Sequence, residues 1–130
     1  KYEYKPGSAF ISGKPKVGIN HKEFGGTSLG INVYVEAVLN YLGIDPYKDV
    51  FTLKMSGGPD GDVAGNEICN LHRFFPKTAK LLALTDVSGT IHDPEGLDLA
   101  ILEQLFHQAR PIKYYPPEKL HEGGFLLDKG

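Results

Sequence analysis

Three stretches of the chain carry apolar residues at helical spacing and predict three helices. The predicted helices cover residues 27–42, 62–74 and 97–110. Thr27 or Ser28 can cap the first helix, and Gly43 supplies the left-handed residue that stops it. Pro111 ends the third helix, because proline cannot continue a helical ladder.

Two mainly apolar runs, at residues 50–55 and 80–85, predict buried strands. Residues 89–96 are expected to form a tight hairpin-like excursion outside the sheet. The order helix, strand, helix, strand, helix predicts an α/β fold: a partial Rossmann-like (βαβ) dinucleotide-binding domain, with three α/β/α layers and a parallel sheet. Two strands are too few for a complete domain of that kind.

The organisation of the chain is predicted from where this pattern begins and ends. Residues 1–26, rich in Gly, Pro and Lys, are expected to be an extended lead-in. Residues 27–111 are expected to form the mononucleotide-binding half of the domain, and residues 112–130 an irregular, truncated C-terminal segment. Both chain ends look like cuts through a longer polypeptide, so we expect an internal fragment.

Composition restricts the classes of function. The chain has 130 residues, 41% of them hydrophobic, and a formal net charge of -2, so we expect one domain with a modest core and no nucleic-acid partner. No run approaches the ~20 apolar residues of a membrane span. Cys69 is the single cysteine, which fits a reducing, cytoplasmic compartment. The five histidines lack metal-site spacing, so no metal is expected.

A glycine-dense turn joins the first predicted strand to the second helix, the place where a βαβ fold presents N–H groups to a phosphate. Compared with the pattern GxGxxG, one extra residue separates Gly58 from Gly61, and Ala64 takes the third place. Asp62 is expected to cap the helix. The candidate cofactor-binding residues in the turn are Gly57, Gly58, Pro59, Asp60, Gly61, Asp62 and Val63.

Asp86 ends the second predicted strand, about 20 residues beyond the turn, where such folds bind the adenosine ribose. Its carboxylate would repel a 2′-phosphate, and neither Val87 nor Ser88 supplies a cation, so NAD is favoured over NADP. The alternative is that Asp86 only starts a turn with Ser88 and Gly89.

Four segments in order resemble the large NAD-specific glutamate dehydrogenases of the Glu/Leu/Phe/Val dehydrogenase family. They lie at residues 11–15, 26–33 and 57–66, and at residues 84–89 together with 93–98. The resemblance implies that Thr27 lies near the nicotinamide amide, that Asp86 binds ribose and that Val87 lies against adenine. It also implies NAD as cofactor, L-glutamate and 2-oxoglutarate as the parent protein's substrate and product, and a homo-oligomeric parent.

In that family the lysine and aspartate of the proton chemistry lie in a substrate domain that this chain does not contain. We therefore predict no catalytic residue here, and we expect the fragment to be inactive on its own.

Three alternatives were compared with this prediction. Asp60, Asp62 and Gly65 match the start of a calcium-binding EF-hand loop, but Leu71 stands where that loop needs a glutamate. A phosphate-binding NTPase loop would need Lys and Ser or Thr directly after its last glycine, and this chain has neither there. A non-catalytic nucleotide-binding or oligomer-contact α/β module stays open, because a glycine turn can persist for packing alone.

Overall fold

The structure is a computed structural model, and it describes residues 25–129. The elements, in chain order, are α1 (Gly26–Tyr41), β1 (Phe51–Ser56), α2 (Asp62–Phe74), β2 (Ala79–Asp86), β3 (Gly89–His92), α3 (Leu99–His107), two short 3-10 helices (Ile112–Tyr114 and Pro117–Lys119) and β4 (Phe125–Asp128). The predicted lead-in lies outside the described residues except for its last two positions. Within the described part of the chain, no helix is both long and apolar enough to cross a membrane.

The four strands form one mixed sheet in the order β1-β2-β3-β4. Strand β1 runs parallel to β2, with Phe51 opposite Ala79 and Ser56 opposite Thr85. The other two pairs, β2 with β3 and β3 with β4, are antiparallel. The α/β class is therefore confirmed, whereas the prediction of an all-parallel sheet is wrong beyond the first pair.

Strand β3 corrects the prediction that residues 89–96 leave the sheet. Val87 and Ser88 form a two-residue turn that sends β3 back along β2. Gly89 is required at the start of β3, because a Cβ there would lie 2.0 Å from the carbonyl oxygen of Leu127 in β4. The close approach of β4 therefore depends on the absence of a side chain.

The C-terminal segment is more ordered than predicted, since residues 112–130 contain both 3-10 helices and β4. Asp93 is fully buried, and its Oδ2 accepts hydrogen bonds from the backbone N–H and the imidazole Nδ1 of His121, at 3.1 and 2.9 Å. Burial by itself would raise the pKa of Asp93, but the hydrogen bonds from His121 and from the N–H of Glu95 hold it below its ordinary value. This cluster anchors the segment to the end of β3.

The three helices were predicted correctly in kind and in order. Helix α2 has the predicted bounds, and α3 is capped by Asp98, whose Oδ1 accepts from the N–H of Ala100 at 2.9 Å. Helix α1 differs at its start: the capping residue is Gly25, and the Ser28 hydroxyl donates to the Gly25 carbonyl at 2.9 Å. The prediction that Thr27 or Ser28 caps α1 is therefore wrong.

The core lies between the sheet and the helices that follow β1. Helix α2 packs against both α1 and α3, so it is the central helix of the fold. Phe75 joins a cluster of rings, with its centroid 5.1 Å from that of Tyr47 and 5.7 Å from that of Phe51. The side chains most completely removed from solvent include Ile68, Leu71, Phe75, Leu81, Leu84, Ile91, Leu102, Ile112 and Tyr115.

Candidate functional site

The glycine turn is held against β2 by its own backbone. The N–H of Gly57 donates to the carbonyl of Thr85 at 2.8 Å, and the N–H of Gly61 donates to the carbonyl of Gly58 at 3.0 Å. Gly57 has φ of 120°, and a Cβ there would lie 2.9 Å from the Cβ of Ala64. The turn therefore needs glycine for its shape, and two of its N–H groups are already used.

Close packing of α2 depends on Gly65, which the sequence analysis considered only for calcium. A Cβ on Gly65 would lie 2.2 Å from Cδ2 of Phe106 in α3 and 2.5 Å from the carbonyl oxygen of Pro59. Ala64 was assigned the third small position of the nucleotide pattern. The structure gives the tightest contact to the next residue.

Asp62 stands at the first position of α2, one residue after the cap, which is Gly61. Its Oδ1 accepts a hydrogen bond from the N–H of Val63 at 2.9 Å. The prediction that Asp62 caps the helix is therefore wrong in position, but its carboxylate does engage the N-terminal end of the helix. The N–H of Val63 is thereby occupied.

Asp86 contacts both the turn that follows it and the glycine turn. Its Oδ1 accepts from the N–H of Ser88 at 2.7 Å and from the Ser88 hydroxyl at 2.6 Å, and its Oδ2 accepts from the N–H of Ile112 at 2.9 Å. A Cβ on Gly58 would lie only 2.7 Å from Oδ2 of Asp86. The contacts with Ser88 are those expected if Asp86 starts a turn. The same carboxylate also lies against Gly58.

A cavity of about 490 Å³, here named the Asp86 cavity, opens where β1 and β2 end. This volume is within the range of small-molecule sites. The lining residues are Ser56, Gly57, Gly58, Asp60, Gly61, Thr85, Asp86, Val87 and Lys129.

Six of the ten predicted cofactor-binding residues meet in the Asp86 cavity: Gly57, Gly58, Asp60, Gly61, Asp86 and Val87. Four do not. Pro59 is buried beneath the turn, and Thr27 is exposed at the start of α1. Asp62 and Val63 line a neighbouring cavity instead.

That second cavity, here named the Glu67 cavity, has a volume of about 280 Å³ and lies on the other side of the glycine turn. Ile31 of α1 and Met55 of β1 contribute apolar walls. Glu67 of α2 is 5% exposed, and burial raises its pKa to about 7, opposed by a weak hydrogen bond from Asn70. Glu67 was not predicted from the sequence.

Lys129 lines the Asp86 cavity and was also missed by the sequence analysis. It follows β4, whose existence was not predicted, and no local motif marks it. Its position could have been predicted only from the pairing of β4 with β3, which brings Lys129 beside the turn after Asp86.

The thiol of Cys69 is poorly suited to act as a nucleophile. Burial, with a contribution from the charge of Glu103, raises the pKa of Cys69 to about 11, so its thiol is protonated at neutral pH. Within residues 25–129, no three His, Cys, Asp or Glu side chains are arranged to hold a metal ion.

Comparison with known proteins identifies the family. A model of the Glutamate/Leucine/Phenylalanine/Valine dehydrogenase family matches residues 18–126. The chain belongs to this family. The resemblance drawn from the four sequence segments is therefore confirmed. The relatives described next are all glutamate dehydrogenases.

The chain is 38% identical over 122 residues to a probable NAD-specific glutamate dehydrogenase of Schizosaccharomyces pombe, and 36% identical over 121 residues to an NAD-specific glutamate dehydrogenase of Saccharomyces cerevisiae. Each alignment covers 92% of this chain and 10% of the relative. The chain thus spans about a tenth of the length of the curated relatives it matches.

The fold is also similar to the crystal structure of Plasmodium falciparum glutamate dehydrogenase. The TM-score is 0.56 at 25% sequence identity, over 80% of this chain and 21% of the other. This structural neighbour belongs to the same kind of enzyme as the sequence relatives.

Proposed function

We propose that this chain is the cofactor-binding part of an NAD-dependent glutamate dehydrogenase. Bound there, NAD would supply the hydride acceptor for the oxidative deamination of L-glutamate to 2-oxoglutarate and ammonia. This chain binds and orients the cofactor, while the groups that move protons belong to the rest of the longer protein. The parent is a homo-oligomer of the cytoplasm.

One observation carries the proposal: the carboxylate at the end of β2 lies against the glycine turn at the end of β1. The distance of 2.7 Å from a Cβ on Gly58 to Oδ2 of Asp86 means that only glycine leaves room there. Ligands of open α/β sheets bind beyond the carboxyl ends of parallel strands, and the Asp86 cavity lies at that edge of β1 and β2. We infer a Rossmann-like, three-layer domain in the longer protein.

Different residues are assigned to different parts of the cofactor. Asp86 would accept a hydrogen bond from a hydroxyl of the adenosine ribose, and the exposed Val87 would provide an apolar surface for adenine. The glycine turn, with Gly58 at its centre, lies under the pyrophosphate. Asp62 and Val63 line the next cavity, which we assign to the nicotinamide side. Thr27 lies outside both cavities, and its place near the nicotinamide amide rests on the family resemblance alone.

Asp86 retains the capacity for this role despite its internal contacts. A carboxylate offers about four acceptor sites, and three are used by Ser88 and Ile112. One acceptor site is left for a ribose hydroxyl. The carboxylate is also fixed by these contacts, so little side-chain entropy is lost when a ligand binds.

The test is a titration of the chain with NAD and with NADP, for wild type and Asp86→Ala. A site that lacks its other half is expected to bind NAD with a dissociation constant of about 1 mM, or roughly 4 kcal/mol. Asp86→Ala should weaken NAD binding and narrow the preference for NAD over NADP, because the carboxylate no longer repels the 2′-phosphate.

Ser88→Ala is the matched control, because it removes a hydroxyl that donates to Asp86 but keeps the carboxylate. It should retain the ratio of NAD to NADP affinity even if both affinities fall. If Asp86→Ala changes both affinities by the same factor as Ser88→Ala, Asp86 acts only in the turn and the ribose assignment is wrong.

An oligomer-contact module is the second candidate, and helix α1 favours it. Within residues 25–129 several large apolar side chains of α1 are exposed, among them Val33, Tyr34 and Tyr41. Such a face is typical of a contact surface. Sedimentation of the chain distinguishes cofactor binding from contact between copies. Contact between copies would be favoured if the chain self-associates, if Tyr34→Asp abolishes that self-association and if the chain does not bind NAD.

A further inference from the structure

We propose that Lys129 is a further cofactor-binding residue, whose ammonium group binds the pyrophosphate of the dinucleotide at the Asp86 cavity. This inference rests on the proposed function of that cavity. It assigns the source of positive charge, which the glycine turn lacks.

The position of Lys129 is fixed by the sheet. Asp128 pairs with Gly89 at the end of β4, and the N–H of Lys129 donates to the carbonyl of Ser88 at 2.9 Å. Lys129 therefore lies beside the turn that begins at Asp86. Lys129 lines the same cavity as Asp86.

The carboxylate of Asp86 disfavours an anion in the cavity, so a nearby cation would help a phosphate to bind. Among the lining residues within 25–129, Lys129 is the one lysine, arginine or histidine. Within residues 25–129 its ammonium forms no ion pair, so it is available to a ligand.

Several backbone donors of the turn are already engaged or absent. The N–H groups of Gly57 and Gly61 bond within the protein, the N–H of Val63 bonds to Asp62, and Pro59 has none. A phosphate at this turn therefore cannot use these positions of the backbone. A lysine side chain would add a charged donor beside them.

The test compares Lys129→Ala with wild type in NMR titrations of the 130-residue chain with ADP-ribose, adenosine and NADP. Lys129→Ala should weaken ADP-ribose binding roughly tenfold, as expected for the loss of a hydrogen bond from a charged donor. Adenosine binding should stay unchanged, because adenosine has no phosphate. Lys129→Arg should restore ADP-ribose binding, since arginine retains the charge.

Two controls separate this role from others. Lys119→Ala removes an exposed lysine that does not line the cavity, and it should leave ADP-ribose binding at the wild-type level. Added salt should weaken ADP-ribose binding more in wild type than in Lys129→Ala, because the variant has lost the charged contact.

The outcomes divide cleanly. If Lys129→Ala weakens the binding of adenosine as much as that of ADP-ribose, the lysine packs on the nucleoside and the phosphate assignment is wrong. If the substitution weakens the binding of NADP alone, the lysine binds a 2′-phosphate and the pyrophosphate assignment is wrong. If wild type binds ADP-ribose and Lys129→Ala binds it equally well, this inference fails while the proposed function stands. If folded wild type binds neither ADP-ribose nor NAD, both are overturned.

Discussion

Helices α1 and α2 pack side by side, yet they bury opposite kinds of residue. Helix α2 buries five residues, among them Ile68 and Leu71, whereas α1 buries only Ser28 and Asn32. The Oδ1 atom of Asn32 has no hydrogen-bond partner within residues 25–129. Large apolar side chains of α1 are exposed instead: Leu29, Ile31, Val33, Tyr34, Val38 and Tyr41.

The difference shows what a periodic pattern does and does not predict. Apolar residues at helical spacing predicted both helices correctly, because spacing determines which side chains share a face. The pattern does not say what lies against that face. In α2 it is the core of this chain, whereas in α1 the six large apolar side chains named above stay exposed within residues 25–129.

The largest expected effect comes from truncating the ring at the end of α2. Phe75→Ala removes a side chain that is 1% exposed and packs against Tyr47 and Phe51. The expected loss is about 3–5 kcal/mol in the free energy of unfolding, measured by urea denaturation. A loss no larger than that of an exposed aromatic residue would mean that the α2 side is not the core.

Glu67 of α2 lines a cavity together with Ile31 of α1, and its titration tests how the two helices pack. Its pKa is raised from 4.5 to about 7, so between those pH values the folded state binds more protons than the unfolded state. The free energy of unfolding therefore falls as pH rises through that window, by up to about 3 kcal/mol.

Glu67→Gln should remove this fall, as followed by urea denaturation at a series of pH values. Glu118→Gln, which changes an exposed glutamate, should retain it. If the free energy of unfolding changes with pH equally in wild type and Glu67→Gln, Glu67 does not stay protonated between the two helices.

The smallest effect is expected on the outer face of α1. Tyr41 is 90% exposed, so Tyr41→Ala should change the free energy of unfolding by no more than about 0.5 kcal/mol. The same denaturation series provides the measurement, with Phe75→Ala as its aromatic counterpart in the core. A cost of several kcal/mol would mean that α1 is packed by its apolar face after all.

The parts of the fold that the sequence predicted are those with local signals. The glycine turn, the amphipathic residues after it and the apolar run before Asp86 define β1, α2 and β2 with short-range patterns. Strand β3 was missed because it has only four residues, and β4 because its pairing with β3 joins distant parts of the chain. The mixed sheet follows from these two strands.

The candidate site shows the same division. The turn and Asp86 were predicted because each follows directly after a strand. The hydrogen bond from Ile112 to Asp86 and the position of Lys129 depend on where the C-terminal segment folds back, which no nearby residue specifies. Glu67 was missed because a glutamate in a helix usually points to solvent.

The buried contact between Asp93 and His121 determines where a shorter version of this polypeptide can end. A chain that stops after α3 keeps Asp93 but loses the backbone and imidazole donors of His121. Its carboxylate then has to be buried with fewer partners or exposed by opening the end of β3. The sequence pattern places the end of the nucleotide-binding unit at Pro111, but the contacts of Asp93 lead us to expect that a stable unit extends at least to His121.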